Sequence, residues 1–140
     1  MSQTNHLTLH LKNDLAEIER VGEAVEALCH EPGMNAEALY AIKLALDEIL
    51  TNIISYGYDD SAEHEIAVQL TLDDRELFME ITDDARPFNP AEAPTPNVAA
   101  PLQDKPLGGL GIHLVRTLMD RLEYRREHER NILIMTKKIK

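Results

Sequence analysis

Residues 44–52 read Leu44-Ala45-Leu46-Asp47-Glu48-Ile49-Leu50-Thr51-Asn52. Apolar residues recur here at three- and four-residue spacing, the mark of a helix with one buried face. Glu48 and Asn52 are four apart, so an acid and an amide share one face of that helix. Taken alone, such a pair is an ordinary set of polar residues on a solvated surface. It gains weight from two later segments, Thr82-Asp83-Asp84-Ala85-Arg86-Pro87-Phe88-Asn89-Pro90 and Leu107-Gly108-Gly109-Leu110-Gly111-Ile112-His113-Leu114-Val115. Together the three segments supply what the holding of a nucleotide requires, and they point to ATP.

Outward from this stretch, Asn35 can cap the helix and Gly57 can end it, with Leu39, Ile42, Leu46, Ile49 and Ile53 as its core stripe. A second stripe, Ala41, Ala45, Glu48, Asn52 and Ser55, forms a distinct face on which to present a ligand. An earlier amphipathic helix from Leu15 to about His30 carries Leu15, Ile18, Val21, Val25 and Leu28, and Glu31-Pro32-Gly33 stops it. Before it, Leu7, Leu9 and Leu11 alternate with polar residues and predict a half-buried strand over 6–12. Residues 65–72 and 76–82 read as a hairpin turning at Asp73-Asp74-Arg75. From Asp84 to Pro106 regular pattern vanishes and six of the seven prolines fall there, the mark of a long functional loop. A third helix from Ile112 to about Asp120 and two strands, 121–127 and 131–139, complete the order β-α-α-β-β-lid-α-β-β, an α/β sandwich with helices on one sheet face. In the last strand Leu133 and Met135 oppose Ile132 and Ile134, so both of its faces have apolar residues to cover.

The chain has 140 residues and 44% hydrophobic content, which suits one domain over 1–140 with a flexible lid at about 84–107. Fourteen basic residues stand against 25 acidic ones, a formal net charge of −11, so direct nucleic-acid binding is not expected. Cys29 is the only cysteine, which excludes an intrachain disulfide and a cysteine-rich zinc site. No stretch approaches the ~18 apolar residues of a membrane span and no secretory pattern opens the chain, so a cytoplasmic protein without membrane association is expected.

The chemistry follows from residue types. An Asn oxygen is a hard, neutral ligand suited to Mg2+, and a Glu nearly one turn earlier can take a proton from a hydroxyl. A carboxylate at the end of a strand, Asp83, can accept a hydrogen bond from the exocyclic amine of adenine; the same residue also suits a turn start. The glycines before the third helix can expose N–H groups to phosphate, or serve only as a flexible turn. Neither a P-loop nor a dinucleotide fingerprint is present. The six histidines show no zinc-ligand spacing, and no serine sits in a nucleophile elbow.

Three segments carry a resemblance. Residues 48–58 resemble the N box, 83–90 the G1 box and 109–115 the G2 box of the GHKL ATPase superfamily, and most closely its branch of anti-sigma factor serine/threonine kinases. The resemblance implies the Bergerat fold, a two-layer sandwich of a mixed, mainly antiparallel sheet with helices on one face. It implies Glu48 as general base, Asn52 as Mg2+ ligand, Asp83 as adenine reader, and Gly109 and Gly111 at the phosphates, with ATP and Mg2+ as cofactors. It further implies transfer of the γ-phosphate to a serine or threonine of an anti-anti-sigma (STAS-domain) protein, a competing complex with a sigma factor, and a homodimer.

Ala85 departs from the pattern, standing where G1 has its first glycine. A Cβ there is expected to crowd the base, or to cost about 1 kcal/mol if the backbone is left-handed, with reduced ATP affinity as the result. The alternative function is therefore a non-catalytic partner-binding module of the same fold.

Overall fold

Strict two-residue alternation builds the sheet. In the computed structural model, which describes residues 4–30, 34–92 and 109–140, the strands are β1 (Asn5–Lys12), β2 (Glu65–Leu72), β3 (Glu76–Asp83), β4 (Arg121–Glu127) and β5 (Arg130–Lys138). Their order across the sheet is β1-β2-β3-β5-β4. The sheet, expected to be mixed and mainly antiparallel, is antiparallel in each of its pairings. Hairpins join β2 to β3 and β4 to β5, β1 lies antiparallel beside β2, and β5 lies between β3 and β4, antiparallel to both. Register places Leu9 opposite Val68, Val68 opposite Ile81, and Ile81 opposite Leu133, so one apolar row crosses four strands on the inner face. Leu133 and Met135 are buried, while Ile132 and Ile134 on the other face are only half-buried.

Three helices, α1 (Ile18–Leu28), α2 (Ala36–Tyr56) and α3 (Gly109–Leu118), supply the second layer. The Asn35 carboxamide oxygen accepts from the N–H groups of Glu37 and Ala38 at 2.9 and 3.3 Å, which answers two of the donors that a helix start leaves open. Along α2, Ile42, Leu46, Ile49 and Leu50 are fully or almost fully buried against the sheet side of the core. Val21 and Val25 of α1 and Ile112 and Val115 of α3 join the same cluster.

Local differences from the sequence reading have physical causes. Residues Leu15–Glu17 form a 3-10 turn, capped by Asp14, in place of the first α-helical turn, and this changed spacing leaves Leu15 53% exposed. Ala41 and Ala45, expected on the ligand face, are buried; their small side chains let neighbouring elements approach α2 closely, and only the later part of that stripe is accessible. The third helix starts at Gly109, so Gly109 and Gly111 lie within its first turn rather than ahead of it. The β4–β5 turn places His128 at φ 51 and Glu129 at φ 63, the left-handed pair of a two-residue hairpin in which Asn-Gly is the commoner occupant. Of the expected lid, residues 84–92 leave β3 and make one 3-10 turn at Pro90–Glu92. Its remainder, together with Gly108 and the expected turn at residues 31–33, lies outside the described residues. Among the described residues no helix is long and apolar enough to cross a membrane.

Candidate functional site

Where β3 ends beneath α2, the two layers leave a cavity of about 260 Å3. Ile49 and Ile53 of α2, Ile112 of α3 and Leu133 of β5 give it apolar walls, and Pro87 and Phe88 close one side. Asn52 and Asp83 supply polar groups. A concave, mostly apolar cavity with a few polar groups is the usual form of a small-molecule site.

Asp83 is 3% exposed. Burial pushes its carboxyl above the ordinary carboxylate value, opposed by hydrogen bonds from Asn131 and from the Ala85 N–H. Both bonds reach the same oxygen, Oδ1, at 2.9 Å. Oδ2 has no hydrogen-bond partner among the described residues, so one acceptor remains for a ligand that donates an N–H.

The turn after Asp83 explains how Ala85 is tolerated. Ala85 is not among the non-glycine residues with positive φ, so the left-handed penalty does not arise. Its side chain is buried against Gly57, where an added Cβ would stand 2.7 Å from the Ala85 Cβ. The Ala85 methyl therefore uses the space that Gly57 leaves empty, and it is not part of the cavity wall. Gly57 itself has φ −81, so it ends α2 without left-handed backbone, and its carbonyl accepts from the Arg86 N–H at 3.0 Å.

Glu48 and Asn52 are linked through the helix backbone. Asn52 Nδ2 donates to the Glu48 carbonyl oxygen at 2.7 Å, which leaves the amide oxygen as the atom available to a cation. The Glu48 carboxylate packs against Gly111, where a Cβ would lie 2.0 Å from Oε2. The first turn of α3 thus comes within touching distance of the acid only because residue 111 has no side chain. Its neighbour Ile112 walls the cavity.

Behind the Asp83 turn, His64 stacks on Tyr58 with ring centroids 4.2 Å apart. His64 Nε2 lies 2.8 Å from Asp60 Oδ1, and Nδ1 lies 3.1 Å from Asp84 Oδ2. Hydrogen bonds to these two carboxylates raise the His64 pKa above the ordinary histidine value. The loop after α2 is thereby clasped to the residue that follows Asp83.

Of the residues singled out from sequence, Asn52 and Asp83 share the cavity, Glu48 and Gly111 meet beside it, and Ala85 lies behind its wall. Gly109 begins α3. Asn131, Tyr124 and Arg126 were not anticipated, and Gly57 was anticipated only as the end of the helix. An asparagine inside a strand was the one available signal, since it is a poor strand former at a position whose alternation faces inward. Nothing in the local sequence links it to Asp83, 48 residues away.

Residues 11–137 match the family described as histidine kinase-like ATPase domain. The chain belongs to this family. Within the family's wider circle, it is 34% identical over 104 residues to the serine/threonine-protein kinase BtrW of Bordetella bronchiseptica, covering 73% of this chain and 72% of that one. It is 29% identical over 139 residues to the serine-protein kinase RsbW of Halalkalibacterium halodurans, covering 96% and 83%. An anti-sigma F factor of Clostridium botulinum is 28% identical over 119 residues, with 82% and 80% covered. Among solved structures, the RsbU and RsbW domains of Rv1364c from Mycobacterium tuberculosis align with TM-score 0.68 at 14% identity. That alignment covers 96% of this chain and 32% of the other, and it bears on fold alone. The antiparallel sheet with its helical layer is the family's ATPase fold.

Proposed function

We propose that this member of the histidine kinase-like ATPase family is an ATP-dependent serine/threonine kinase and anti-sigma regulatory factor. It phosphorylates an anti-anti-sigma protein with a STAS domain and sequesters a sigma factor, as a cytoplasmic homodimer in which residues 1–140 act as one domain with a lid near 84–107. The observation that carries the reading is Asp83, a buried carboxylate in an apolar cavity with one oxygen held and the other open. Adenine offers an exocyclic N–H at the edge where guanine offers a carbonyl, so an open acceptor selects ATP over GTP. Relatives named as serine or serine/threonine kinases and as an anti-sigma factor support the reaction and the partners.

The donor set suits Mg2+. Asn52 presents a neutral hard oxygen, and among the described residues no group of three His, Cys, Asp or Glu side chains could hold a metal by itself. Asn52 would hold such an ion, with the nucleotide and water supplying its other ligands. When bound, Mg2+ neutralises charge on the phosphates. Glu48 receives the proton of the attacking hydroxyl, and the absence of a side chain at Gly111 leaves the room its carboxylate occupies. Gly109 and Gly111 contribute backbone N–H groups of the first turn of α3 to the phosphates.

The test is phosphoryl transfer from labelled ATP to a purified anti-anti-sigma partner. Glu48→Gln should lower transfer by 100-fold or more, within the range general-base loss produces, and leave ATP affinity within about twofold. Wild-type protein that binds ATP yet labels no cognate partner would remove the kinase assignment and leave partner binding alone.

A further inference from the structure

The strongest unassigned feature is the buried amide of Asn131, which lines the same cavity beside Asp83. We infer that Asn131 is a positioning residue that fixes the Asp83 carboxylate for base selection, and that Arg126 and Tyr124 of the edge strand β4 lock its orientation. This inference rests on the nucleotide reading above.

The amide has only one orientation that satisfies its neighbours. Asn131 Oδ1 accepts from Arg126 Nη1 at 2.9 Å and from the Tyr124 hydroxyl. Nδ2 faces Asp83 Oδ1 at 2.9 Å, the Arg86 carbonyl at 2.9 Å and the Ala85 carbonyl at 3.3 Å. A flipped amide would aim its oxygen at three acceptors and its N–H groups at two donors. An NH2 group has two hydrogens, so the two shorter contacts take them. The Ala85 carbonyl is served by Arg126 Nη1 at 3.0 Å.

This arrangement decides which carboxylate oxygen meets a ligand. With only the Ala85 N–H to hold it, the Asp83 carboxylate could turn about its terminal bond, a soft torsion. The second donor pins Oδ1 and leaves Oδ2 as the open acceptor. The same amide ties down the Arg86 carbonyl, so it holds the turn where Ala85 stands. Arg126 is exposed on β4, and base selection in the interior thus depends on a side chain at the sheet edge.

The experiment is calorimetric titration of wild type, Asn131→Asp and Arg126→Met with ATP and, separately, GTP, each with Mg2+. Asn131→Asp keeps the shape and the acceptor for Tyr124 and Arg126, but sets a second carboxyl against Asp83. Two carboxyls in contact retain a proton between them, so the two N–H donors that held Asp83 Oδ1 and the Arg86 carbonyl give way to at most one O–H, and Asp83 no longer offers a fixed acceptor. ATP affinity should fall tenfold or more, and the ratio of ATP to GTP affinity should narrow by a similar factor. Arg126→Met should weaken ATP three- to tenfold and narrow the ratio in the same direction, with a modest loss of thermal stability because the Ala85 carbonyl and the Asn131 amide lose a donor. If Asn131→Asp fails to fold, Arg126→Met decides alone. Wild type that binds ATP while the folded variants keep its affinity and its ATP-to-GTP ratio would overturn the inference and spare the nucleotide reading. Failure of wild type to bind ATP would overturn both.

Discussion

Asp83 occupies a place where ionisation is costly, and this has a measurable consequence. Its pKa is raised by burial, so the folded state binds the proton more tightly than the unfolded chain does. The stability contributed by proton binding is present below the ordinary carboxylate value and is lost as pH rises through the folded one. Asp83→Asn can keep both observed hydrogen bonds, because each uses Oδ1, while removing the ionisation cost. The melting temperature of that variant should equal or exceed wild type at pH 7.5, and any gain should vanish near pH 4. ATP affinity should fall about 10- to 100-fold, since a charge-assisted bond to the base contributes ~1.5–3 kcal/mol. Parallel thermal melts and titrations check both halves, and loss of stability at pH 7.5 would contradict the account. At the same scale, the backbone at Ala85 is not left-handed, and the room for its methyl comes from outside G1, at Gly57.

Helix α2 was legible because several local signals agree. Asn35 caps it, Gly57 ends it, and the apolar spacing between them has one period. The start of α3 was less legible, because glycines suit both a turn and a helix that another side chain must approach closely. Only the Glu48 carboxylate seated on Gly111 resolves that ambiguity. The segment after α2 illustrates a different limit, since no local pattern relates Asp60 and His64 to Asp84, twenty or more residues away. Folded, they form a clasp whose pH dependence is fixed by direction. His64 is raised and Asp60 is lowered, in each case mainly by their mutual hydrogen bond. The histidine contribution is complete below its ordinary value of about 6.5 and is lost as pH rises through the folded value. The aspartate contribution is present above its ordinary value of about 3.9 and is lost as pH falls through the folded one. His64→Gln should therefore lower the melting temperature more at pH 6 than at pH 9. Equal losses at both values would show that stacking on Tyr58, rather than charge, is what His64 provides.

For the whole molecule, the formal charge of −11 opposes a bare polyphosphate anion, so nucleotide binding and cation binding should be coupled. Saturation with ATP and Mg2+ at 100 times the dissociation constant stabilises the folded state by about 2.7 kcal/mol, a rise of roughly 8 °C for a domain of this size. ATP with a chelator should give a much smaller rise, and Asn52→Ala should remove most of the difference between the two conditions. A Mg2+ effect undiminished in Asn52→Ala, read by thermal shift, would place the cation on other ligands.

The sequence by itself determined the elements, their order and the inward face of the first strand, and it carried the residues proposed for the chemistry, Glu48, Asn52 and Asp83. These depend on short-range periodicity and on the functional groups that the side chains carry. Only the tertiary structure decided that Ala85 fits against Gly57, that Gly111 admits the Glu48 carboxylate, and that Asn131 holds Asp83. Each of these joins residues at least 28 positions apart, and contacts of that kind are set by how layers pack and strands register, which no local pattern encodes.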